Sequence, residues 1–323
     1  MTDSIDEYIN KAPTPTIYDG FIKAISVLKT HHNIVVSVSG GSDSDNMVEI
    51  MEHIRNRNDG TEVNYVWFNT GIEMDATKRH LDYLEDKYNV KIIRVKPKIT
   101  VPAAVIQRGY PFLSKFFSGH INDLQEFNFD WNTDKTLDEL VEKFPDYERP
   151  LKWWYGKYKY SVPKLLKKFM QENPPDFRIS DKCCYCAKKE PAKEICEELN
   201  ADLSWVGIRR AEGGVRAFKQ SCFDPAGSLY KFDRYYPCFW WTNEDKAAFE
   251  KTYGVVHSDA YTVYGFERTG CAGCPFNIHS ENDSKILHQY EPKLANAVER
   301  IFAPSNEYTH KFLKYKEENQ ETE

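Results

Sequence analysis

The residues of this chain best suited to chemistry begin at Ser39-Gly40-Gly41-Ser42-Asp43-Ser44, which interrupts the stretch "NIVVSVSGGSDSDNMVEIM". Before it, Ile34, Val35, Val36 and Val38 are mostly β-branched and suit a buried strand. After it, Met47, Val48, Ile50 and Met51 fall on one side of a helix. The two glycines permit backbone angles that other residues resist and let a ligand approach the main chain. Ser and Asp can cap the new helix, whose free N–H groups and positive dipole end favour an anion. Strand, turn and helix together predict a phosphate cradle. Asp43 has two readings: a carboxylate that holds Mg²⁺ against phosphates, or a helix-capping residue.

Cysteines form the second constellation. Cys271 and Cys274 are spaced C-x-x-C around Gly273, so two thiolates can converge on one metal. Cys183, Cys184 and Cys186 crowd together upstream. Pairing Cys183 and Cys186 with the later two gives C-x-x-C…C-x-x-C, a spacing that suits structural zinc. Free buried thiols are the remaining reading. Cys196, Cys222 and Cys238 have no such spacing and read as ordinary core or surface cysteines.

A third group is cationic. Arg209, Arg210 and Arg216 lie in "VGIRRAEGGVRA", a glycine-containing loop after a strand, where forked donors can hold anionic oxygens. Lys188, close to the cysteine pair, can reach the same ligand. The segment "LKWWYGKYKYSVPKLLKKF" (151–169) interleaves Lys with Trp and Tyr. It reads mainly as a basic, half-buried helical region, with phosphate contact and base stacking as the alternative. His31, His32 and His80 stay unassigned.

These groups need elements to hold them. Helix 17–31, strand 33–38, helix 45–57, a strand in "EVNYVWFNTGIE" (62–73), helix 74–89 and strand 90–97 alternate with short links. Such alternation predicts an α/β fold with a parallel twisted sheet and helices on both faces. Ligands bind beyond the carboxyl ends of strands in such sheets, so Asn69, Thr70, Gly71 and Glu73 should share a site with the first loop. The expected organisation is one α/β domain over 15–280, with a helical insertion at about 100–175 and the cysteine cluster. A helical segment with a polar tail follows over 281–323.

Composition bounds the class. The 323 residues are 41% hydrophobic and 28% charged, with a formal net charge of −6. Nothing in that balance pulls the whole chain toward nucleic acid. No apolar run is long enough to span a bilayer, and "MTDSIDEYINKAPTP" lacks a signal-peptide apolar core. The default expectation is a cytoplasmic protein with no membrane partner, whose cysteines serve metal or reactivity rather than disulfides.

The loop SGGSDS resembles the PP-loop of ATP pyrophosphatases and of the PAPS reductase family, within the adenine nucleotide α-hydrolase-like superfamily. "FNTGIEMDATKRHLDYL" resembles that family's second nucleotide loop. "VGIRRAEGGVRA" resembles its segment facing the phosphate or phosphosulfate end of the nucleotide. "ISDKCCYCAKKEPAKE" and "YGFERTGCAGCPF" resemble the two cysteine motifs of its iron–sulfur members. Together these cover roughly residues 30 to 280.

The resemblance implies a PP-loop, Rossmann-like fold that binds ATP or a related adenine nucleotide with Mg²⁺. Ser39, Gly40, Gly41, Ser42, Ser44, Asn69, Thr70, Gly71, Glu73 and Arg216 would line the nucleotide. Asp43, Lys188, Arg209 and Arg210 would act on it. It also implies that Cys183 and Cys184, with Cys271 and Cys274, hold a [4Fe–4S] cluster, because Lys188 and Pro191 occupy the places expected after an adjacent pair. Zinc remains the alternative. Sulfonucleotide reductases of this kind carry a C-terminal cysteine, whereas the last cysteine here is Cys274. The expectation is therefore cleavage of ATP at its α-phosphate, to AMP and pyrophosphate, during activation of a nucleic-acid, protein or small-molecule acceptor. A sulfonucleotide reductase using an external thiol is one alternative. A nucleotide- or cluster-sensing regulator working with a DNA-binding partner protein is the other.

Overall fold

A computed structural model describes residues 4–56, 60–277 and 280–320. Residue 57, at the end of a predicted helix, and residues 321–323 of the polar tail lie outside the described residues. The chain divides into two compact units. One comprises residues up to Pro97 together with Lys188–Gly270; the other comprises Lys98–Ala187 together with residues from Cys271 on.

The first unit is built on a six-stranded sheet. Its strands are β1 (Asn33–Ser37), β2 (Glu62–Phe68), β3 (Ile92–Val95), β4 (Leu203–Val206), β5 (Phe223–Asp224) and β6 (Asp233–Tyr235). Their spatial order is β3-β2-β1-β4-β6-β5. All neighbours run parallel except β5, which pairs antiparallel with β6. The predicted parallel α/β fold is what forms, with the short β5 as an antiparallel edge. Of these, β5 and β6 were not anticipated, because two- and three-residue strands carry too little periodicity to register.

Alternation along the strands divides the packing into two cores. Ile34, Val36, Tyr65, Trp67, Leu203 and Trp205 pack with apolar residues of the helices Pro15–Leu28, Ser42–Ile54, Asp75–Tyr88 and Asn243–Tyr253. Val35 and Val66 instead pack with Ile195 and Cys196 of the helix Glu190–Glu198. Successive side chains point to opposite faces, so a run such as Ile34-Val35-Val36 serves helices on both sides. Each such aliphatic side chain stabilises the fold by about 1.5–3 kcal/mol on burial.

Register sets where a site can form. Ser37 of β1 lies opposite Val66 of β2 and Val206 of β4, so β1 and β4 end at one level while β2 runs two residues further, to Phe68. From β1 the chain continues to β2 on one side, while β4 lies on the other. This is the reversal of strand order at which a crevice opens beyond the carboxyl ends.

The second unit is helical. The helices Val101–Arg108, Lys115–Glu126, Leu137–Lys143, Glu148–Trp154 and Lys164–Glu172 occupy the stretch predicted to be helical. Their core holds Phe112, Leu124, Trp153, Trp154 and Phe169 together with Tyr308 and Phe312 of the long helix Pro292–Gln320. Among the described residues no helix is long and apolar enough to cross a membrane.

Candidate nucleotide site and cysteine cluster

The turn after β1 owes its shape to Gly40, whose φ is +68°. A side chain there would also meet Thr77 Cγ2 at 2.8 Å. The helix Ser42–Ile54 starts with Gly41 as N-cap and no side-chain cap. Asp43 therefore does not cap it. Inside the turn, Ser39 N–H donates to Ser44 Oγ at 2.9 Å and Gly41 N–H to Ser39 Oγ at 3.3 Å. Ser42 N–H donates to Tyr261 Oη at 3.1 Å. Hydroxyl oxygens thus take up main-chain donors of the turn, in the role an anionic oxygen would fill.

Beside it runs the loop after β4. Arg209, only 6% exposed, donates from Nε to Asp43 Oδ1 at 2.7 Å and from Nη1 to Asn243 Oδ1 at 3.1 Å. Lys246 Nζ stands 3.1 Å from the same Asp43 oxygen and also donates to Ser42 Oγ. The carboxylate predicted to hold a metal is thus bracketed by two cations, and Mg²⁺ bound to it would compete with them.

A cavity of about 590 Å³ opens over these residues. Ser39, Gly41, Ser42, Asp43, Ser44, Glu73, Lys188, Arg209 and Arg216 line it, as do Lys189, Lys193, Arg234, Lys246 and Arg268. Its eight lysines and arginines face four carboxylates, Asp43, Glu73, Glu212 and Glu267. The excess is positive in a chain of net charge −6, which suits an anionic ligand. Trp67, Phe68, Tyr230 and Phe232 add an apolar wall, and the Arg234 guanidinium lies 4.1 Å above the Tyr230 ring.

Not every predicted residue reaches the cavity. Gly40, Asn69, Thr70 and Gly71 shape the turns without lining it. Thr70 is fully buried and donates from Oγ1 to Glu73 Oε1 at 2.5 Å, while Gly71 N–H donates to Asn69 Oδ1 at 3.1 Å. The second loop thus contributes Glu73 and holds it in place. Arg210 lies outside the lining as well, with its guanidinium 5.6 Å from the Trp240 ring and its Nε donating to Ala217 O at 3.2 Å.

Behind the turn lies a network that sequence reasoning missed. Asp45 is 1% exposed and accepts from His80 Nε2 at 2.9 Å and His257 Nδ1 at 2.8 Å. His257 Nε2 sits 3.0 Å from Glu250 Oε1, an ion-pair contact off the line of a good hydrogen bond. Burial opposes protonation of His257, but Asp45 and Glu250 outweigh it and raise its pKa to about 9. Lys246, missed too, belongs to a helix opened by a Thr242 capping box, and its sequence looks like any amphipathic surface helix.

In the second unit, Cys183 and Cys184 lie on the short helix Lys182–Cys184, which runs into a π-helical turn at Tyr185–Lys189. The wider turn leaves Tyr185 exposed while Cys186 and Ala187 are buried, and such turns concentrate at functional sites. The Cys183 thiol is pushed well up by a hydrogen bond with Cys184, by burial, and by the nearness of Cys184, Cys274 and Cys271. Cys274 is pushed up to about 11 by burial, with Cys271 and Cys184 adding to it. Gly273, with φ +61°, makes the turn between the last two cysteines, and a Cβ there would meet Val298 Cγ2 at 2.6 Å.

Four neighbouring thiols fit the donor chemistry of a thiolate-held cluster. Yet among the described residues no three His, Cys, Asp or Glu side chains converge closely enough to hold one metal ion. Tetrahedral zinc needs sulfurs about 2.3 Å from a single centre. A [4Fe–4S] cluster likewise needs its four thiolates gathered around one core.

The sheet, the glycine turn after β1 and the crevice beyond it define an α/β protein of the PP-loop type. More narrowly, the chain belongs to the phosphoadenosine phosphosulfate reductase domain family, whose model matches residues 33–128 and 120–277. The family acts on adenine nucleotides. Two relatives are each 25% identical. An uncharacterized 37.8 kDa protein of Escherichia phage 186 aligns over 82% of this chain and 73% of its own length. An uncharacterized protein of Methanocaldococcus jannaschii aligns over 87% of this chain but only 44% of its own length, so the chain spans under half of that relative. Among solved structures, a phosphoadenylyl-sulfate reductase from Candida auris is 12% identical, with a TM-score of 0.42 over 83% of this chain and 93% of that one. The U34-tRNA thiolase NcsA from Methanococcus maripaludis, solved with its [4Fe–4S] cluster, is also 12% identical, with a TM-score of 0.42 over 89% of this chain and 76% of that one.

Proposed function

We propose that the cavity beyond β1 and β4 binds ATP and that the protein cleaves it at the α-phosphate to activate an acceptor. The observation that carries this reading is the clustering of the Ser39–Ser44 turn, Arg209, Arg216 and Lys246 around one cationic cavity. Main-chain donors of the turn hold phosphate oxygens, and the apolar wall of Trp67, Phe68 and Phe232 receives the base. An acceptor nucleophile bonds to the α-phosphorus, and the bond to the bridging oxygen breaks. Pyrophosphate leaves with that oxygen's electron pair, and a second nucleophile then releases AMP. Arg209, Arg216 and Lys246 stabilise the negative charge that grows on the departing oxygens. Mg²⁺, where present, would be held by the phosphates and by Asp43, in competition with Arg209 and Lys246, and would neutralise part of the phosphate charge.

Cys183, Cys184, Cys271 and Cys274 would hold a [4Fe–4S] cluster, which when bound supplies a thiolate-ligated iron centre for sulfur chemistry. The hydrogen bond between Cys183 and Cys184, and the nearness of Cys271 and Cys274 to that pair, support this ligand set.

Sulfonucleotide reduction is the second reading, favoured by the family match. It needs a thiolate to attack sulfur, and no cysteine is among the described residues lining the cavity. One experiment separates the two. Anaerobically purified protein is incubated with ATP and candidate acceptors while AMP and pyrophosphate are followed, and in parallel with adenylyl sulfates plus thioredoxin while sulfite is followed. AMP and pyrophosphate without sulfite support ATP cleavage, whereas sulfite release by the isolated chain replaces it with reduction.

A further inference from the structure

The helical unit carries a surface that the nucleotide reading leaves unused. From Arg149 to Phe169 the chain places seven lysines and arginines and no aspartate or glutamate. The structure separates the aromatic residues of this stretch into two groups. Trp153 and Trp154 are buried in the helical core. Tyr158 and Tyr160 stand 36% and 54% exposed.

Packing buries the tryptophans and leaves the tyrosines largely outside, Tyr158 resting against His120 with 5.8 Å between ring centres. The loop that presents them is pinned by hydrogen bonds. Lys157 N–H donates to Lys152 O at 2.8 Å and Val162 N–H to Trp153 O at 3.1 Å. Tyr158 N–H donates to Ser161 Oγ at 3.2 Å, and Ser161 Oγ–H donates back to Tyr158 O at 2.6 Å. The rings are therefore held out by an ordered backbone, which lowers the ordering cost of binding.

Around them, Lys157, Lys159 and Lys164 are exposed and enter no ion pair among the described residues. Lys159 Nζ lies 5.3 Å from the centre of the Tyr160 ring. The next helix, Lys164–Glu172, has no acidic residue in its first turn. Lys164 and Lys167 instead stand in its first turn, where cations are electrostatically disfavoured. A polyanion would relieve that repulsion.

We propose that this surface binds single-stranded polynucleotide, with Tyr158 and Tyr160 stacking on bases and Lys157, Lys159 and Lys164 contacting phosphates. A duplex hides the base faces that the rings require, and an acidic protein has no need of two presented rings. The inference is independent of the nucleotide cavity.

The test is fluorescence anisotropy of the full chain with labelled oligo-dT and oligo-U, each longer than about 16 nucleotides, over a salt series. Binding to either supports the proposal, and the tighter arm identifies the polymer. The Lys157→Ala/Lys159→Ala double variant should reduce the slope of log K against log salt by about 1.4, at roughly 0.7 per phosphate contact. Tyr158→Ala and Tyr160→Ala should each weaken binding about fivefold or more without changing that slope. Tryptophan emission and far-ultraviolet circular dichroism confirm that the variants fold. No binding of the wild-type chain at low salt, tyrosine variants that bind as wild type does, or tighter binding to duplex than to single strands would overturn it.

Discussion

Arg209 Nε donates to Asp43 Oδ1 at 2.7 Å, joining the loop after β4 to the helix after β1 across 166 residues of sequence. The bond spans the crevice where strand order reverses, so two loops distant along the chain make one wall. Lys246 completes it from a third segment.

Asp43→Asn keeps the shape of this junction but leaves Arg209 and Lys246, both mostly buried, without their shared counter-charge. The variant should lose about 1–3 kcal/mol of stability, read by urea denaturation. Pyrophosphate formation should fall at least about tenfold, a loss of roughly 1.4 kcal/mol in transition-state stabilisation, and half-maximal rate should require more Mg²⁺. Wild-type rates and Mg²⁺ dependence in a folded variant would remove Asp43 from the reaction.

Gly40 and Gly41 should respond differently to substitution. Gly40→Ala forces a side chain into a positive-φ turn and against Thr77, at a cost of about 1–3 kcal/mol, visible as a lowered Tm. Gly41→Val has no positive φ to satisfy, but its Cβ would stand 3.1 Å from Thr269 Oγ1, at the cavity. It should weaken ATP binding while leaving a folded protein. Calorimetric titration of ATP into both variants distinguishes the two effects, and unchanged affinity in Gly41→Val would put the nucleotide elsewhere.

His257 gives the protein a pH signature. Its folded pKa, about 9, lies above the ordinary histidine value of 6.5. The folded state therefore holds its proton more tightly than the unfolded state. That contribution is complete below about pH 6.5 and is lost as pH rises through about 9. Urea midpoints at pH 6, 7.5 and 9 should fall more steeply for wild type than for His257→Gln. Parallel profiles would show that Asp45 and Glu250 do not hold the proton there.

Gly273 should matter to the cysteines through Val298. Gly273→Ala places a methyl where Val298 Cγ2 would lie 2.6 Å away, and should reduce the iron and sulfide retained after anaerobic reconstitution. Adding Val298→Ala removes the clash but not the positive-φ cost, so recovery should be partial. Full iron loading in Gly273→Ala would show that the turn is not needed to bring Cys271 and Cys274 together. Cys184→Ser should abolish iron loading where Cys186→Ser spares it, and the opposite pattern would favour the zinc pairing.

The strand, turn and helix from Asn33 to Ile54 were legible from sequence because local periodicity and turn chemistry are properties of contiguous residues. For the same reason the parallel α/β class followed from alternating elements, and the Ser39–Ser44 turn from its two glycines. The partners of those residues were not legible. Asp43 reads as a metal ligand or a cap on its own, and becomes the shared counter-ion of Arg209 and Lys246 only when β4 packs beside β1. Arg209 and Arg210 are adjacent and identical in kind, yet one reaches the cavity and the other lies against Trp240. Tyr158 and Trp153 belong to one aromatic run, and only the packing of Trp153 against Phe117 and its neighbours decides which stays outside. Local sequence carries backbone preference; which side chains share an environment depends on contacts between distant segments, which no short window of sequence contains.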